Sequence, residues 1–328
     1  MNFGVELLPN RSVDELVELA CREEEAGFDR VWVADHFNNR NIYCVLTAIA
    51  VETSVVELGP GVTNPYVVHP AITASAVSTV DEVSSGRAIL GLGAGDRTTL
   101  NRLGLDWDRP VTRTEEAINV IRRLVGGERL SHDCDFFELD NAKLDVGVRE
   151  IPVYVGGQGP KMLEMAGRVG DGVLINASHP RDISFGVKRV QKGRRDSVVD
   201  GEIDIAAHTC FSIDRDREEA VRAVKPVVAF VAATAPEHVL ERHEISLGLR
   251  DRVREHLKEN DFNGAKELVS SRMVDAFSVT GTPSECRERI ERLIDVGVDS
   301  IVIGSPYGPS TNRSLNLLEE IIQEYKDQ

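Results

Sequence analysis

Short apolar runs alternate along this chain with longer stretches in which apolar positions recur every three to four residues. Residues 3–8 read as a first strand. Residues 12–26 follow as an amphipathic helix, opened by Ser12 with Glu15 three positions on and ended by Gly27. Residues 29–34 form a second strand and 42–53 the next helix. A third strand, 55–59, runs into Gly59-Pro60-Gly61, ahead of a helix over 70–83 with proline at its start. Strand four covers 87–93 and its helix 112–125. A polar excursion, 126–150, precedes strand five at 152–155, a helix at 161–169, strand six at 172–176 and strand seven at 203–211. A long, mostly helical stretch over 215–275 leads to a helix at 283–296, strand eight at 300–304 and a last helix at 314–325.

Eight short Val/Ile/Leu-rich strands separated by helices predict a parallel sheet buried on both faces. An open, doubly wound sheet is the rival. The count of eight, and a final helix able to pack back toward the first, favour a closed (β/α)8 TIM barrel. The chain of 328 residues suits one such barrel. Nothing rich in Pro, Gly or Ser divides it, so residues 1–328 are read as a single domain with an insertion between strands seven and eight.

Composition narrows the function. Apolar residues at 41% and charged residues at 28% are globular values. There is no run of 18 apolar residues, and the N-terminus opens on a strand pattern, so a cytoplasmic protein without membrane span or signal peptide is expected. Cys21, Cys44, Cys134, Cys210 and Cys286 lie far apart with no CxxC pair, which points to reduced thiols. A net charge of −16 repels nucleic acid and anionic membranes. The bases are 30 arginines against 8 lysines. Acidic excess with few lysines suits concentrated salt, which screens crowded carboxylates; an ordinary acidic cytosolic protein is the other reading.

Barrel active sites lie at the C-terminal strand ends. Glu6 stands inside strand one between Val5 and Leu7, where an unpaired carboxylate is costly to bury. A functional glutamate there has a raised pKa and donates a proton near neutrality; a solvated or arginine-paired carboxylate is the bland alternative. Asp35 and His36 close strand two, where a lone histidine is more often a packed residue than a catalyst. Gly61-Val62-Thr63-Asn64 follows strand three. Asp96 follows Gly91-Leu92-Gly93-Ala94-Gly95, a weak dinucleotide-like run better read as glycines that let backbone approach a planar ring. Gly156-Gly157-Gln158-Gly159 opens a helix after strand five, as an anion site or a plain tight turn. Asn176-Ala177-Ser178 ends strand six. His238 and His243 read as surface helix residues, with no metal assigned. Hydrolase and kinase motifs are missing.

Several of these segments resemble the 5,10-methylenetetrahydromethanopterin reductases, a branch of the bacterial-luciferase-like barrels. They are Gly59-Pro60-Gly61-Val62-Thr63-Asn64-Pro65-Tyr66, Pro70-Ala71-Ile72-Thr73-Ala74-Ser75-Ala76, Gly157-Gln158-Gly159-Pro160, Leu174-Ile175-Asn176-Ala177-Ser178, Ala276-Phe277-Ser278-Val279 and Gly304-Ser305-Pro306. The resemblance implies hydride transfer from reduced coenzyme F420, an 8-hydroxy-5-deazaflavin, to a methylene carbon bridging two nitrogens of a reduced pterin. Glu6 matches the acid that protonates the departing nitrogen, and Asp96 would orient the pterin or tune Glu6. Asp35, His36, Gly61, Val62, Thr63, Asn64 and Gly95 would line the deazaflavin pocket. Residues 156–159 and Asn176, Ala177 and Ser178 would hold its pyrimidine edge or its tail. The family's non-prolyl cis peptide would fall in Gly61-Val62-Thr63. A folate carrier in a halophile, or another FMN- or F420-dependent reaction, remains open, and a homo-oligomer (dimer or tetramer) is expected.

Overall fold

The computed structural model describes residues 1–327. In chain order the strands are β1 (Asn2–Leu7), β2 (Arg30–Val33), β3 (Glu57–Pro60), β4 (Leu90–Gly93), β5 (Leu130–Asp133), β6 (Glu138–Ala142), β7 (Val153–Gly157), β8 (Gly172–Asn176), β9 (Asp204–Ile213), β10 (Val279–Gly281) and β11 (Ser300–Tyr307). The helices are α1 (Val13–Glu25), α2 (Ile42–Glu52), α3 (Pro70–Ser84), α4 (Arg97–Arg102), α5 (Pro110–Val125), α6 (Pro160–Val169) and α7 (Pro180–Arg194). They continue as α8 (Arg217–Thr234), α9 (Glu237–Arg242), α10 (Leu247–Lys258), α11 (Phe262–Glu267), α12 (Ser271–Phe277), α13 (Pro283–Ile294) and α14 (Thr311–Lys326). The chain groups into two compact units. One is Gly4–Ile175 with Lys188–Ile205; the other is Met1–Phe3, Asn176–Val187 and the described chain from Ala206 onward.

In the first unit the parallel strands follow chain order without reversal. β1 pairs β2 with Glu6 opposite Trp32, and β2 pairs β3 with Val33 opposite Pro60. β3 meets β4 through bridges Leu58–Ala88 and Thr63–Leu92. β4 pairs β7, and β7 pairs β8. A doubly wound sheet would reverse direction at a switch point, and these strands have none. The polar excursion is an antiparallel hairpin, β5 against β6. The Ser12–Glu15 capping box opens α1 as expected, both bonds being formed.

Charged side chains hold the N-terminal ends of these strands. Arg30, first in β2, pairs with Glu57, first in β3, at 2.7 Å and with Asp204, first in β9. Asp204 also accepts the Tyr154 hydroxyl at 2.7 Å, and Tyr154 packs edge-on against Trp32. Arg87 donates to the carbonyls of Ala50, Thr53 and Val56. Asp171 takes Arg122 and the Val153 amide, and Glu24 accepts the amides of Ser54, Val55 and Val56. These bonds satisfy backbone and charge that burial would otherwise penalise.

In the second unit β9 pairs β11 along its length and β10 along its last three residues. The stretch expected to be helical holds α8 to α12, packed on a core of its own that includes Val224, Val228, Leu240, Val253, Met273 and Phe277. Among the described residues no helix is long and apolar enough to cross a membrane. Besides the β5–β6 hairpin, three elements depart from the sequence reading. The helix α7 occupies a stretch given no element, α4 forms directly after Asp96, and β10 is an added three-residue strand.

Candidate active site

The C-terminal strand ends of the first unit gather most of the candidate residues. Glu6 is half-buried, between the fully buried side chains of Val5 and Leu7. A strand alternates its faces, so Glu6 points away from the side taken by its two neighbours.

Asp35 follows β2. It is half-buried, and its Oδ2 accepts the Thr63 hydroxyl at 2.7 Å. Burial pushes this carboxyl above its ordinary range, against the Thr63 bond and His36, which pull it down. His36 is exposed. Beside this pair sits Tyr43 of α2, which sequence reasoning missed. Its hydroxyl is buried beside Thr63 and Thr73, and burial together with the Asp35 charge pushes the phenol above its ordinary range. The available signal was Asn41, whose side chain caps α2 by accepting the Tyr43 and Cys44 amides and so starts the helix just after the β2 strand end.

The segment after β3 lies between β2 and β4. Gly61 N donates to Val33 O at 2.8 Å, Thr63 N to Gly91 O at 3.0 Å and Gly93 N to Thr63 O at 2.9 Å. The expected non-prolyl cis peptide in Gly61-Val62-Thr63 is not found. Among the described residues the one cis bond is Ser305–Pro306. With trans peptides the segment already satisfies its amides on two neighbours, and a cis bond without proline costs about 3–4 kcal/mol. Asn64 spends its side-chain oxygen on the amides of Tyr66 and Val67. Gly95 adopts φ +65, a conformation that favours glycine, close against Asn64.

The glycines divide into two kinds. A Cβ on Gly156 would stand 2.8 Å from Val62 Cγ2, and one on Gly93 2.9 Å from Val62 Cγ1. A Cβ on Gly157 would meet Met162 at 2.7 Å. These three make room for the protein's own side chains. Gly159, by contrast, faces open space, next to exposed Gln158 at the start of α6. Asp96 is exposed and caps α4, accepting the Thr99 amide at 2.7 Å.

The second unit holds the turn after β8. Asn176 is exposed, Ala177 half-buried and Ser178 buried. The Ser178 hydroxyl accepts the Cys210 amide at 3.0 Å. Next to it His179, Asp182 and His243 form a buried cluster whose ligating atoms lie within 4.8 Å of one another. His243, expected at the surface, is therefore core: its Nε2 lies 2.6 Å from Asp182 and its ring packs on His179 and Phe277. The short helix α9 carries apolar Leu240 inward and takes His243 with it. His238 is exposed, as expected. Asp182 also pairs with Arg242, and His179 Nδ1 accepts the Arg181 amide at 3.1 Å. Burial, with Arg289 and His243 beside it, holds the His179 imidazole down to about 4, so the ring is neutral. Asp182 is thus committed to His243 and Arg242, and His179 Nδ1 to the Arg181 amide.

The luciferase-like monooxygenase family model matches residues 1–300. A 5,10-methylenetetrahydromethanopterin reductase of Methanolobus tindarius is 44% identical over 98% of this chain and 100% of its own length. A protein of the same name from Archaeoglobus fulgidus is 43% identical, over 99% and 100%. Among solved structures, the coenzyme F420-dependent tetrahydromethanopterin reductase of Methanopyrus kandleri superposes with a TM-score of 0.94. It is 37% identical, and the match covers 99% of both chains.

Proposed function

Because the chain belongs to the luciferase-like family, in its 5,10-methylenetetrahydromethanopterin reductase branch, we propose that it reduces 5,10-methylenetetrahydromethanopterin to the 5-methyl form with reduced coenzyme F420. The observation that carries this reading is the end-to-end likeness, at 44% identity, to a reductase of that name. The fold is accordingly the (β/α)8 barrel anticipated from strand counting. The match to relatives over their full length also supports reading residues 1–328 as one barrel domain.

The residues present fit a deazaflavin. Gly61, Val62 and Thr63 form a backbone ledge whose Val62 side chain packs down onto Gly93 and Gly156. Asp35 and Thr63 offer a half-buried polar edge beside it. Gly159 and Gln158 offer open space and an exposed polar group for the remaining edge or the tail. When bound, the reduced deazaflavin supplies the hydride.

Glu6 does the proton work. The bridging methylene is a poor acceptor until its ring opens, and opening needs a proton on the departing nitrogen. Glu6 donates that proton from its half-buried position at the strand end. Thr63 orients Asp35 toward the cofactor side through their 2.7 Å bond. The strand ends hold donor and acceptor in register, the positional contribution to the rate.

Asp96 has two duties in this reading, capping α4 and orienting the pterin. Asp96→Asn keeps an oxygen for the Thr99 amide, so melting stays near that of the unaltered protein, whereas Asp96→Ala loses about 1 kcal/mol of capping. Asp96→Asn is expected to raise the pterin KM roughly tenfold, in line with the loss of one charged hydrogen bond. Unchanged kinetics in Asp96→Asn would confine the residue to its cap.

The reaction itself is tested by following oxidation of reduced F420 with methylenetetrahydromethanopterin and methylenetetrahydrofolate side by side. Turnover with the first is expected. Turnover with the folate alone would replace the carrier, and turnover with neither would reject the function. The excess of acids over lysines extends the reading to a cytoplasm rich in salt. The same assay in dilute buffer and in molar salt reads this directly, since equal activity in both would remove it.

A further inference from the structure

We propose that Arg289 is a positioning residue for the cofactor, fixing the turn Asn176-Ala177-Ser178 against helix α12. The inference rests on the reading of that turn as part of the deazaflavin site.

The turn is built with a root and a tip. Ser178 is the root, 3% exposed, with its hydroxyl held by the Cys210 amide of β9. Its carbonyl accepts a long bond, 3.4 Å, from Arg289 Nη1 of α13. The same nitrogen donates to the Asp275 carbonyl at 3.2 Å, and Arg289 Nη2 binds the Asp275 carboxylate at the end of α12. Asn176 and Ala177 are the tip and remain accessible. Ser178 is thus gripped from the sheet through its side chain and from the helices through its backbone.

The two grips differ in kind. The Cys210 amide belongs to a paired strand and cannot move without the sheet. The Arg289 grip depends on one guanidinium whose two terminal nitrogens serve three acceptors at once, a geometry lysine can only partly reproduce. The Arg289 side chain is 12% exposed, so its loss leaves the Ser178 and Asp275 carbonyls short of a donor. It also lines a cavity of about 220 Å³ with Arg217, Ser278, Thr280 and Arg292. Water can therefore enter where a shorter or apolar side chain stands, and the variant keeps its fold.

A role confined to stability would lower melting and spare binding. A positioning role moves the affinity for one ligand selectively. The test is fluorescence titration of F420 into the unaltered protein, Arg289→Met, Arg289→Lys and Asp275→Asn, with steady-state kinetics and a melting curve for each. Arg289→Met is expected to raise the F420 Kd and KM about tenfold, the scale of one lost charged bond. The pterin KM and kcat are expected to stay within about twofold by the same reasoning. Lysine at 289 recovers only part of the loss, and Asp275→Asn reproduces it without adding to it in the double variant.

F420 affinity unchanged in both Arg289→Met and Asp275→Asn would overturn the inference. So would a loss shared equally by F420 and pterin. Absence of F420 binding by the unaltered protein would instead overturn the functional reading beneath it, a result visible before any variant is made.

Discussion

Glu6→Gln is expected to lower kcat by about 10²–10⁴-fold, the usual contribution of a positioned general acid, while the fold and F420 affinity stay as they were. Glutamine has the same shape and can occupy the same half-buried place between Val5 and Leu7. It cannot surrender a proton to the departing nitrogen. The register of β1 on β2 is set by backbone pairing of Glu6 with Trp32 and its neighbours, and that pairing does not involve the carboxylate. A pre-steady-state trace should show cofactor bound and hydride transfer stalled. Turnover within a few-fold of the unaltered enzyme would remove the acid role from Glu6 and direct attention to Asp35, the other half-buried carboxyl, whose pKa burial has raised.

Gly156→Ala is the second large effect, and it acts through a neighbour. The new Cβ would stand 2.8 Å from Val62 Cγ2 and 3.1 Å from Cγ1. Something must shift, and Val62 sits in the segment whose backbone forms the cofactor ledge. Overpacking of this kind costs about 1–3 kcal/mol. Because the strain falls on the ledge, F420 affinity is expected to drop tenfold or more, as 1.4 kcal/mol is a factor of ten. Val62→Ala placed in the same chain should restore both melting and affinity, because it removes the methyl groups that clash. A double variant no better than Gly156→Ala alone would mean that the glycine is needed for close approach of the cofactor itself.

Much of the framework was legible because parallel strands buried on both faces leave unbroken apolar runs. β8 coincides with the stretch read from sequence, residues 172–176. Glu6 was legible for the converse reason: a charge inside such a run stands out. The misses share a cause, which is dependence on a partner invisible along the chain. Helix α7 carries Ile183, Val187 and Val190 at helical spacing, but Gly186, Gly193 and many charges lower its local propensity. Gly193 is there because α7 crosses α6 closely, a Cβ at that position standing 1.8 Å from Glu164 O. β10 is three residues long and exists only as an edge to β9. His243 was placed at the surface by its charged neighbours, and its partner Asp182 lies 61 residues away. The glycines at 156 and 157, read as an anion site or a plain tight turn, also have a packing reason in their spatial neighbours Val62 and Met162. Tyr43 escaped notice because a tyrosine in an apolar helix reads as core until Asp35 and Thr63 are seen beside it.

The ion pairs among Arg30, Glu57, Asp204 and the Tyr154 hydroxyl join the opening residues of β2, β3 and β9 to β7. None of them belongs to the strand ends where Glu6, Asp35 and Thr63 stand. For an engineer this is a division of labour between foundation and workbench. Substrate preference can be redesigned in the loops after the strands with little call on the groups that keep the scaffold folded. For the same reason, drift at the foundation is the more dangerous kind, since it would erode every chemistry the workbench might be given.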